Sequence, residues 1–466
     1  MVTLYLDNFR GFHKTWLPLQ DVNFFVGENS TGKTSVMSLV YLFATRQFWG
    51  EFDFSSDYNI GLGLFDEITR EEEFTIGFVN DSPMYYRFFD EETGTVGKPY
   101  AVFMTLARSE DGTPKVKEYI GFTEGLGICL KANEVGNLFY NIGSPKYKKS
   151  KLIEFVKDWV VTQQPFDKKG YKQIEFDESL FSRRSIFSPS FVQKKGVRID
   201  GIFHHIFSGR SSNLKKTIKG YSYLESIFDL NDFEILGSIC WLAPVRSKPQ
   251  RIYERLIRDF TPEGDHIPFL LRDLMQLDSP KAQKIRDTLN AFGRDSGLFE
   301  EIGVKRFGDD KYAPFEVQIL LDGKPAKITN VGYGISQVLP LIVEILLHEK
   351  EENFALQQPE VHLHPKAQAF VGEFIFYQAK TEKQGFIVET HSDFILDRFR
   401  LAMKRDSAKP SDQTSSVKAQ ILFFERTENG NQIHSIEIAP DGSYLNEPPE
   451  TFREFFINES LDVLGL

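Results

Sequence analysis

Gly27-Glu28-Asn29-Ser30-Thr31-Gly32-Lys33-Thr34 fits the pattern G-x-x-x-x-G-K-[ST], the mark of a loop that wraps phosphates. Glycines permit backbone conformations that turn amide N–H groups toward phosphate oxygens, and a helix opening directly afterwards adds the positive end of its dipole. In this pattern Lys33 reaches the β- and γ-phosphates of a nucleotide, and the Thr34 hydroxyl ligates Mg2+. Gly27, Asn29, Ser30, Thr31, Gly32 and Ser35 complete the expected nucleotide-binding set. The flanks agree: Asp21 to Gly27 is a Val- and Phe-rich strand pattern, and after Gly32 the apolar residues Val36, Leu39, Val40 and Phe43 fall on one helix face. Strand, glycine loop and helix in that order predict an α/β P-loop NTPase fold.

Working outward, Val2 to Phe9 reads as a strand, and segments 74–79, 84–89 and 100–107 as antiparallel strands between turns at Asn80-Asp81 and Asp111-Gly112. Lys151 to Val161 has helical periodicity, and Gln163 to Gly220 mixes Gly, Ser, Pro and basic residues in the manner of an inserted module. Leu224 to Leu236 reads as helix, Ile239 to Pro244 as a buried strand, Arg246 to Phe299 as mostly helix around a loop at Pro262 to Pro268, and Phe315 to Gly323 as strand. The expected division is an N-terminal lobe at 1–143 carrying the phosphate loop, a basic and mostly helical insertion at 144–236, and a C-terminal lobe at 237–466.

The chain has 466 residues, 41% hydrophobic and 26% charged, which excludes a wholly disordered or fibrous protein. Two cysteines, Cys129 and Cys240, cannot build a disulfide framework and fit a reducing compartment, so a cytoplasmic location is expected. No apolar run approaches the roughly 18 residues of a membrane span, so no membrane partner is expected. A net charge of −11 opposes indiscriminate coating of DNA. Between Lys146 and Lys219, however, 17 Lys and Arg stand against 7 Asp and Glu, a local charge of +10. That stretch is either a solvated face or a docking surface for nucleic acid or an acidic protein.

Three later segments extend the motif set. Val331 to Pro340 reads V-G-Y-G-I-S-Q-V-L-P before a helical run, Phe354 to Gln368 reads F-A-L-Q-Q-P-E-V-H-L-H-P-K-A-Q, and Phe386 to Leu396 reads F-I-V-E-T-H-S-D-F-I-L. Together with Asn8-Phe9-Arg10-Gly11-Phe12 near the start, they resemble the ABC-type P-loop ATPases of the RecF, OLD and SMC group, AAA-family ATPases with a head split into lobes. Gly442 to Phe456 resembles a C-terminal domain of unknown function found in one subgroup. The resemblance implies ATP and Mg2+ as cofactors and adds Arg10 to the nucleotide site. It places Gly334, Ser336 and Gln337 at the signature presented to ATP by a second copy, Gln357-Gln358 at the end of the Walker B strand, His362 to Pro365 at the D-loop, and His391 at the switch histidine. A dimer of heads or a higher homo-oligomer follows.

Walker B strands of this group end in acidic residues, whereas this chain has Gln357 and Gln358. An amide cannot serve as general base. Gln357 is a natural loss or a Glu→Gln replacement that traps ATP, and Glu360 and Glu389 are the candidate compensating carboxylates. Tight ATP binding with weak hydrolysis is expected, with Lys33, Gln357, Gln358, Glu360, Glu389 and His391 as the catalytic set. Glu360, His362 and His364 also have the spacing of zinc ligands, but the resemblance accounts for them as the turn after Walker B. Arg246, before a Pro-rich turn, is expected to be structural.

OLD-type relatives carry a TOPRIM nuclease domain and SMC relatives a long coiled coil; neither pattern is legible here. The remaining resemblance is to the ATPase subunit of the two-gene PARIS anti-phage system. It implies a toxin-antitoxin-like antiviral scaffold and sensor that holds a separate TOPRIM-like nuclease effector and releases it on meeting a phage trigger protein. The alternative is a RecF-like repair ATPase whose basic segment binds duplex DNA.

Overall fold

The computed structural model describes residues 2–45, 48–49, 52–54, 60–80, 100–123, 126–133, 138–143, 152–162, 171–173, 192–193, 196–197, 238–254, 256–310, 313–348, 351–408 and 417–456. The expected strand at 84–89, the expected helix at 224–236 and most of the basic segment lie outside the described residues. The chain forms two compact units. Unit 1 comprises 1–19, 35–238 and 426–432, and unit 2 comprises 20–34, 239–425 and 433–466.

Unit 1 is built on an eight-stranded sheet in the order β2-β1-β4-β5-β6-β7-β8-β9. Its strands are β1 (Val2–Asp7), β2 (Thr15–Pro18), β4 (Glu73–Asn80), β5 (Tyr100–Arg108), β6 (Pro114–Thr123), β7 (Leu126–Ala132), β8 (Leu138–Gly143) and β9 (Lys172–Gln173). Every neighbouring pair is antiparallel. β1 stops two residues earlier than its sequence suggests, because Asn8 and Arg10 take left-handed backbone with φ of 55° and 49°. Helix α1 (Lys33–Ala44) leads in from the phosphate loop, and a one-turn helix α2 (Phe65–Ile68) precedes β4. Helix α3 (Leu152–Thr162) buries Leu152 and Val156, four residues apart, against Tyr5, Phe103, Ile120 and Phe122. A short ribbon pairs β10 (Val192–Gln193) with β11 (Gly196–Val197).

Unit 2 holds a six-stranded sheet in the order β12-β16-β17-β3-β18-β19, from β3 (Val22–Gly27), β12 (Ile239–Leu242), β16 (Asn353–Gln357), β17 (Gly385–Glu389), β18 (Ala419–Thr427) and β19 (Gly430–Ile438). The pairs from β12 through to β18 are all parallel. Such strands are covered on both faces and read as apolar runs. Phe24, Phe354, Phe386 and Phe423 supply the core, with Phe354 stacked on Phe386 at 5.5 Å. Two polar residues interrupt it. Asn23 and Gln420 stand opposite each other, Gln420 Nε2 donates to Asn23 Oδ1 (2.7 Å), and Ser435 donates to Gln420 Oε1 (2.7 Å). These bonds satisfy groups that burial would otherwise penalise, and they fix the register of β18 on β3.

Among the described residues of unit 2, five α-helices pack: α4 (Ile267–Gln276), α5 (Pro280–Ser296), α6 (Tyr333–Leu347), α7 (Pro365–Thr381) and α8 (Asp393–Ser407). A three-stranded antiparallel sheet of β13 (Glu301–Arg306), β14 (Phe315–Leu321) and β15 (Lys324–Lys327) completes it. Residues 246–254 and 256–261 are not helical, contrary to the sequence pattern, and the loop expected from Pro262 follows them. Tyr253 exchanges backbone hydrogen bonds with Phe315, and Ala243 and Ser247 donate to the carbonyls of Pro262 and Glu263. Helix begins only at Ile267, with Pro268 inside its first turn. Among the described residues no helix is long and apolar enough to cross a membrane.

Candidate nucleotide site

Because β16, β17, β3 and β18 run parallel, their carboxyl ends lie together, and they bring Gln357, Glu389 and Gly27 to one edge. This is the edge at which open α/β sheets place ligands. Gly27 has φ of 138°, and a Cβ there would stand 2.1 Å from the Phe424 carbonyl oxygen, so the start of the loop admits only glycine while β18 is paired. The loop bends through Ser30 (φ 62°) and Gly32 (φ 91°), and the Thr31 hydroxyl donates to the Glu28 carbonyl (2.8 Å).

Lys33 is buried, and its ammonium donates to the carbonyl oxygens of Gly27 (2.8 Å) and Glu28 (2.6 Å). Burial lowers its pKa, against the pull of Glu389 and Glu28. The Thr34 hydroxyl lies 2.9 Å from both oxygens of Glu389. Burial lifts the Glu389 carboxyl above its ordinary value, with Thr34, Lys33 and a hydrogen bond from Gln357 opposing the rise. Thus the carboxylate facing the loop comes from the end of β17, while β16, next in the sheet, ends in an amide.

Glu360 has a different place. Gln358 is left-handed (φ 44°) and donates its N–H to the Glu389 carbonyl (2.8 Å), and the chain then turns tightly through His362 (φ 63°). The turn returns the Glu360 carboxylate to residues just after β17, where it accepts from the His391 N–H (2.7 Å) and the Thr390 hydroxyl (2.8 Å). Burial raises its pKa. His391 is half-buried, and burial together with the Lys33 charge lowers its pKa, which favours neutral imidazole. His364 caps α7 by accepting the Ala367 N–H, and Ser392 caps α8.

Arg246 is 1% exposed and is held in the middle of this arrangement. Its backbone N–H donates to Gln337 Oε1 (3.0 Å), Gln337 Nε2 donates back to its carbonyl (3.3 Å), and Nη2 reaches the Gln357 carbonyl at 3.5 Å. Nε and Nη1 have no hydrogen-bond partner among the described residues. Burial draws its pKa down to about 10, with Glu360 opposing, so it is a cation at neutral pH. Gln337 is therefore enclosed in its own subunit. Ser336 is 5% exposed, and its hydroxyl donates to the Tyr333 carbonyl (2.7 Å). What α6 offers to solvent is its start at Gly332 and Tyr333. A Cβ on Gly334 would lie 2.7 Å from the His362 carbonyl, and Tyr333 meets the His362 ring edge-on at 4.9 Å, so this start packs on the turn after β16.

The structure thus brings the phosphate loop, Gln357, Gln358, Glu360, Glu389 and His391 into unit 2, along with Gly334, Ser336 and Gln337. Arg10 belongs to unit 1, where its guanidinium donates to the Leu62 carbonyl (2.8 Å), and Ser35 begins the unit 1 part of α1. Sequence reasoning missed the Arg246–Gln337 clamp. The available signal was a polar pair, Ser336-Gln337, inside an otherwise apolar helix face.

A family model described as an AAA ATPase domain matches residues 1–396. No curated protein matches the sequence. Among solved structures, an Smc head bound to the C-winged helix domain of ScpA is 10% identical, with 93% of this chain and 97% of that one covered and a TM-score of 0.39. The SMC head domain from Thermotoga maritima is 11% identical (94% and 98% covered, TM-score 0.35). An Smc head with an extended coiled coil, bound to the C-terminal domain of ScpA and derived from Pyrococcus furiosus, is also 11% identical (100% and 99% covered, TM-score 0.37). At such identities and TM-scores these heads say nothing of what the chain binds.

Proposed function

The chain belongs to the AAA ATPase domain family, and from that premise we propose that it binds ATP with Mg2+ at the Gly27–Thr34 loop and hydrolyses it slowly. The meeting of the Thr34 hydroxyl with the buried Glu389 carboxylate, next to Lys33, carries the reading. A hydroxyl and a carboxylate form an all-oxygen donor pair suited to a hard divalent cation. Mg-bound ATP supplies a transferable phosphoryl group with its charge partly neutralised. Lys33 exchanges two carbonyl acceptors for phosphate oxygens, a stronger charge-assisted bond.

Slow turnover follows from where the carboxylates are. Gln357 and Gln358 cannot take a proton from water. Glu360 is committed to His391 and Thr390, and Glu389 to Thr34. Positioning and charge stabilisation remain, with neutral His391 available to the γ-phosphate. Nucleotide titration calorimetry tests the binding: Lys33→Ala should weaken affinity about 30- to 150-fold, and unchanged affinity would refute the reading.

We further propose that ATP closes two heads on each other. The exposed amides at the start of α6 are the groups suited to face a neighbour's phosphates, since Ser336 is turned inward. Sedimentation with and without ATP reads this directly. The resemblance of the motif set supports a cytoplasmic scaffold in anti-phage defence, holding a TOPRIM-like nuclease until a phage protein is sensed. A pull-down from infected cells that recovers neither kind of partner would count against it. The local +10 charge of 146–219 favours one second reading, a RecF-like ATPase on duplex DNA. A DNA affinity that falls steeply with log salt would select it.

A further inference from the structure

At the opposite end of α6 from Gly332, unit 2 gathers a second set of polar groups that the nucleotide site does not use. Cys240 lies in β12, Glu344 in the last turn of α6, His348 at its C-cap and Glu352 just before β16. One donor atom each from Cys240, Glu344 and His348 lie within 4.8 Å of one another, and among the described residues this is the only group of three such donors. The thiol is 3.9 Å from Glu344 Oε1, and His348 Nε2 is 2.8 Å from the same oxygen. An i,i+4 ion pair would account for His348 and Glu344 alone. It does not account for the buried thiol or for the groups behind the donors.

Those groups matter because ligating side chains are usually held by outer hydrogen bonds. His348 Nδ1 is bonded to Glu352, which leaves Nε2 directed at Glu344. Glu344 Oε2 is held by His266 Nε2 at 2.9 Å. His266 Nδ1 accepts the Thr261 N–H (3.3 Å), so the neutral ring carries its proton on Nε2 and donates it to Glu344. Histidine and carboxylate donors each have an outer partner already in place.

We propose that Cys240 Sγ, His348 Nε2 and Glu344 Oε1 bind a divalent late transition metal, zinc foremost. Binding forms one bond from each donor and releases the thiol proton and the proton shared between His348 and Glu344. A sulfur, nitrogen and oxygen set selects zinc or its neighbours over Mg2+ and Ca2+. Tetrahedral zinc at the usual bond lengths separates its donors by about 3.4–3.6 Å. The separations from Glu344 Oε1, 3.9 Å to the thiol and 2.8 Å to His348 Nε2, lie on either side of that, each within about half an ångström of it, and the thiol and imidazole nitrogen lie within 4.8 Å of each other. Three protein donors leave a fourth position for water. The bound ion would tie β12 to the end of the helix whose other end packs on the His362 turn. The inference does not depend on the nucleotide reading.

The test uses the full chain. Purified without chelator, it should carry about one zinc per chain, measured by plasma mass spectrometry. Cobalt substitution should give a thiolate-to-metal charge-transfer band. Cys240→Ser should remove the band, and His348→Gln, at a half-exposed residue, should lower zinc affinity about 100-fold or more. His266→Gln, which leaves all three donors, should lower it about tenfold. Circular dichroism establishes that each variant is folded; if Cys240→Ser is not, His348→Gln and His266→Gln decide the matter. A folded wild-type chain that takes up no stoichiometric zinc at micromolar metal overturns the proposal, as does a cobalt band that survives Cys240→Ser and disappears with Cys129→Ser.

Discussion

Around Phe78 in the eight-stranded sheet, the neighbours are Phe43, Tyr100 and Trp49, with ring centroids 5.6 to 5.9 Å away. At the carboxyl ends of the six-stranded sheet, the neighbours of Glu389 are Thr34, Lys33 and Gln357. The first region holds no charged side chain and is built from rings packed on one another. In the second, buried polar groups are held by one another, some of them, like Arg246 Nε and Nη1, incompletely. Packing energy and chemistry have thus been given to different sheets. A substitution in one should therefore be read by a different measurement from a substitution in the other.

The largest effect should come from the aromatic side. Phe78→Ala should cost about 3–5 kcal/mol in denaturant unfolding through the cavity it leaves, with nucleotide affinity of the folded protein unchanged to about twofold. A lost affinity would break the contrast between the sheets. Arg246→Met removes the cation facing Glu360 and should cost about 3 kcal/mol of stability. Adding Glu360→Gln should restore part of it, and a strictly additive double variant would show that the two charges do not sense each other. Lys33→Ala should leave unfolding in the absence of nucleotide nearly unchanged and reduce ATP affinity by about 2–3 kcal/mol, roughly 30- to 150-fold. Gln357→Glu should speed single-turnover hydrolysis by about tenfold, near 1.4 kcal/mol. If it does not, Glu389 already fills the role that the end of β16 vacates.

The legible parts of the molecule were local. Asp21 to Phe43 announces strand, loop and helix within 23 residues, and the apolar runs at 354–356 and 386–388 announce buried strands. The illegible parts depend on separation along the chain. Thr34 meets Glu389 across 355 residues and Arg246 meets Gln337 across 91, and no spacing rule reports such pairs. Residues 246–254 misled for a related reason. Their apolar residues suggest a helix, but Tyr253 finds its hydrogen bonds on Phe315, and tertiary pairing outweighs local propensity. Ser336 was legible as the first turn of a helix but not as a hydroxyl bonded to the Tyr333 carbonyl, because a helix face is assigned only when its neighbours are known.

The strand that delivers the phosphate loop has both its neighbours from far downstream, residues 386–389 on one side and 419–424 on the other. During synthesis, β3 leaves the ribosome well before either partner and waits with both hydrogen-bonding edges open, the last paired residue of β18 coming almost four hundred residues later. Contacts of such long range are slow to form. A truncated or stalled translation product would therefore expose Val22 to Gly27 as a bare apolar strand, prone to aggregate before its partners arrive.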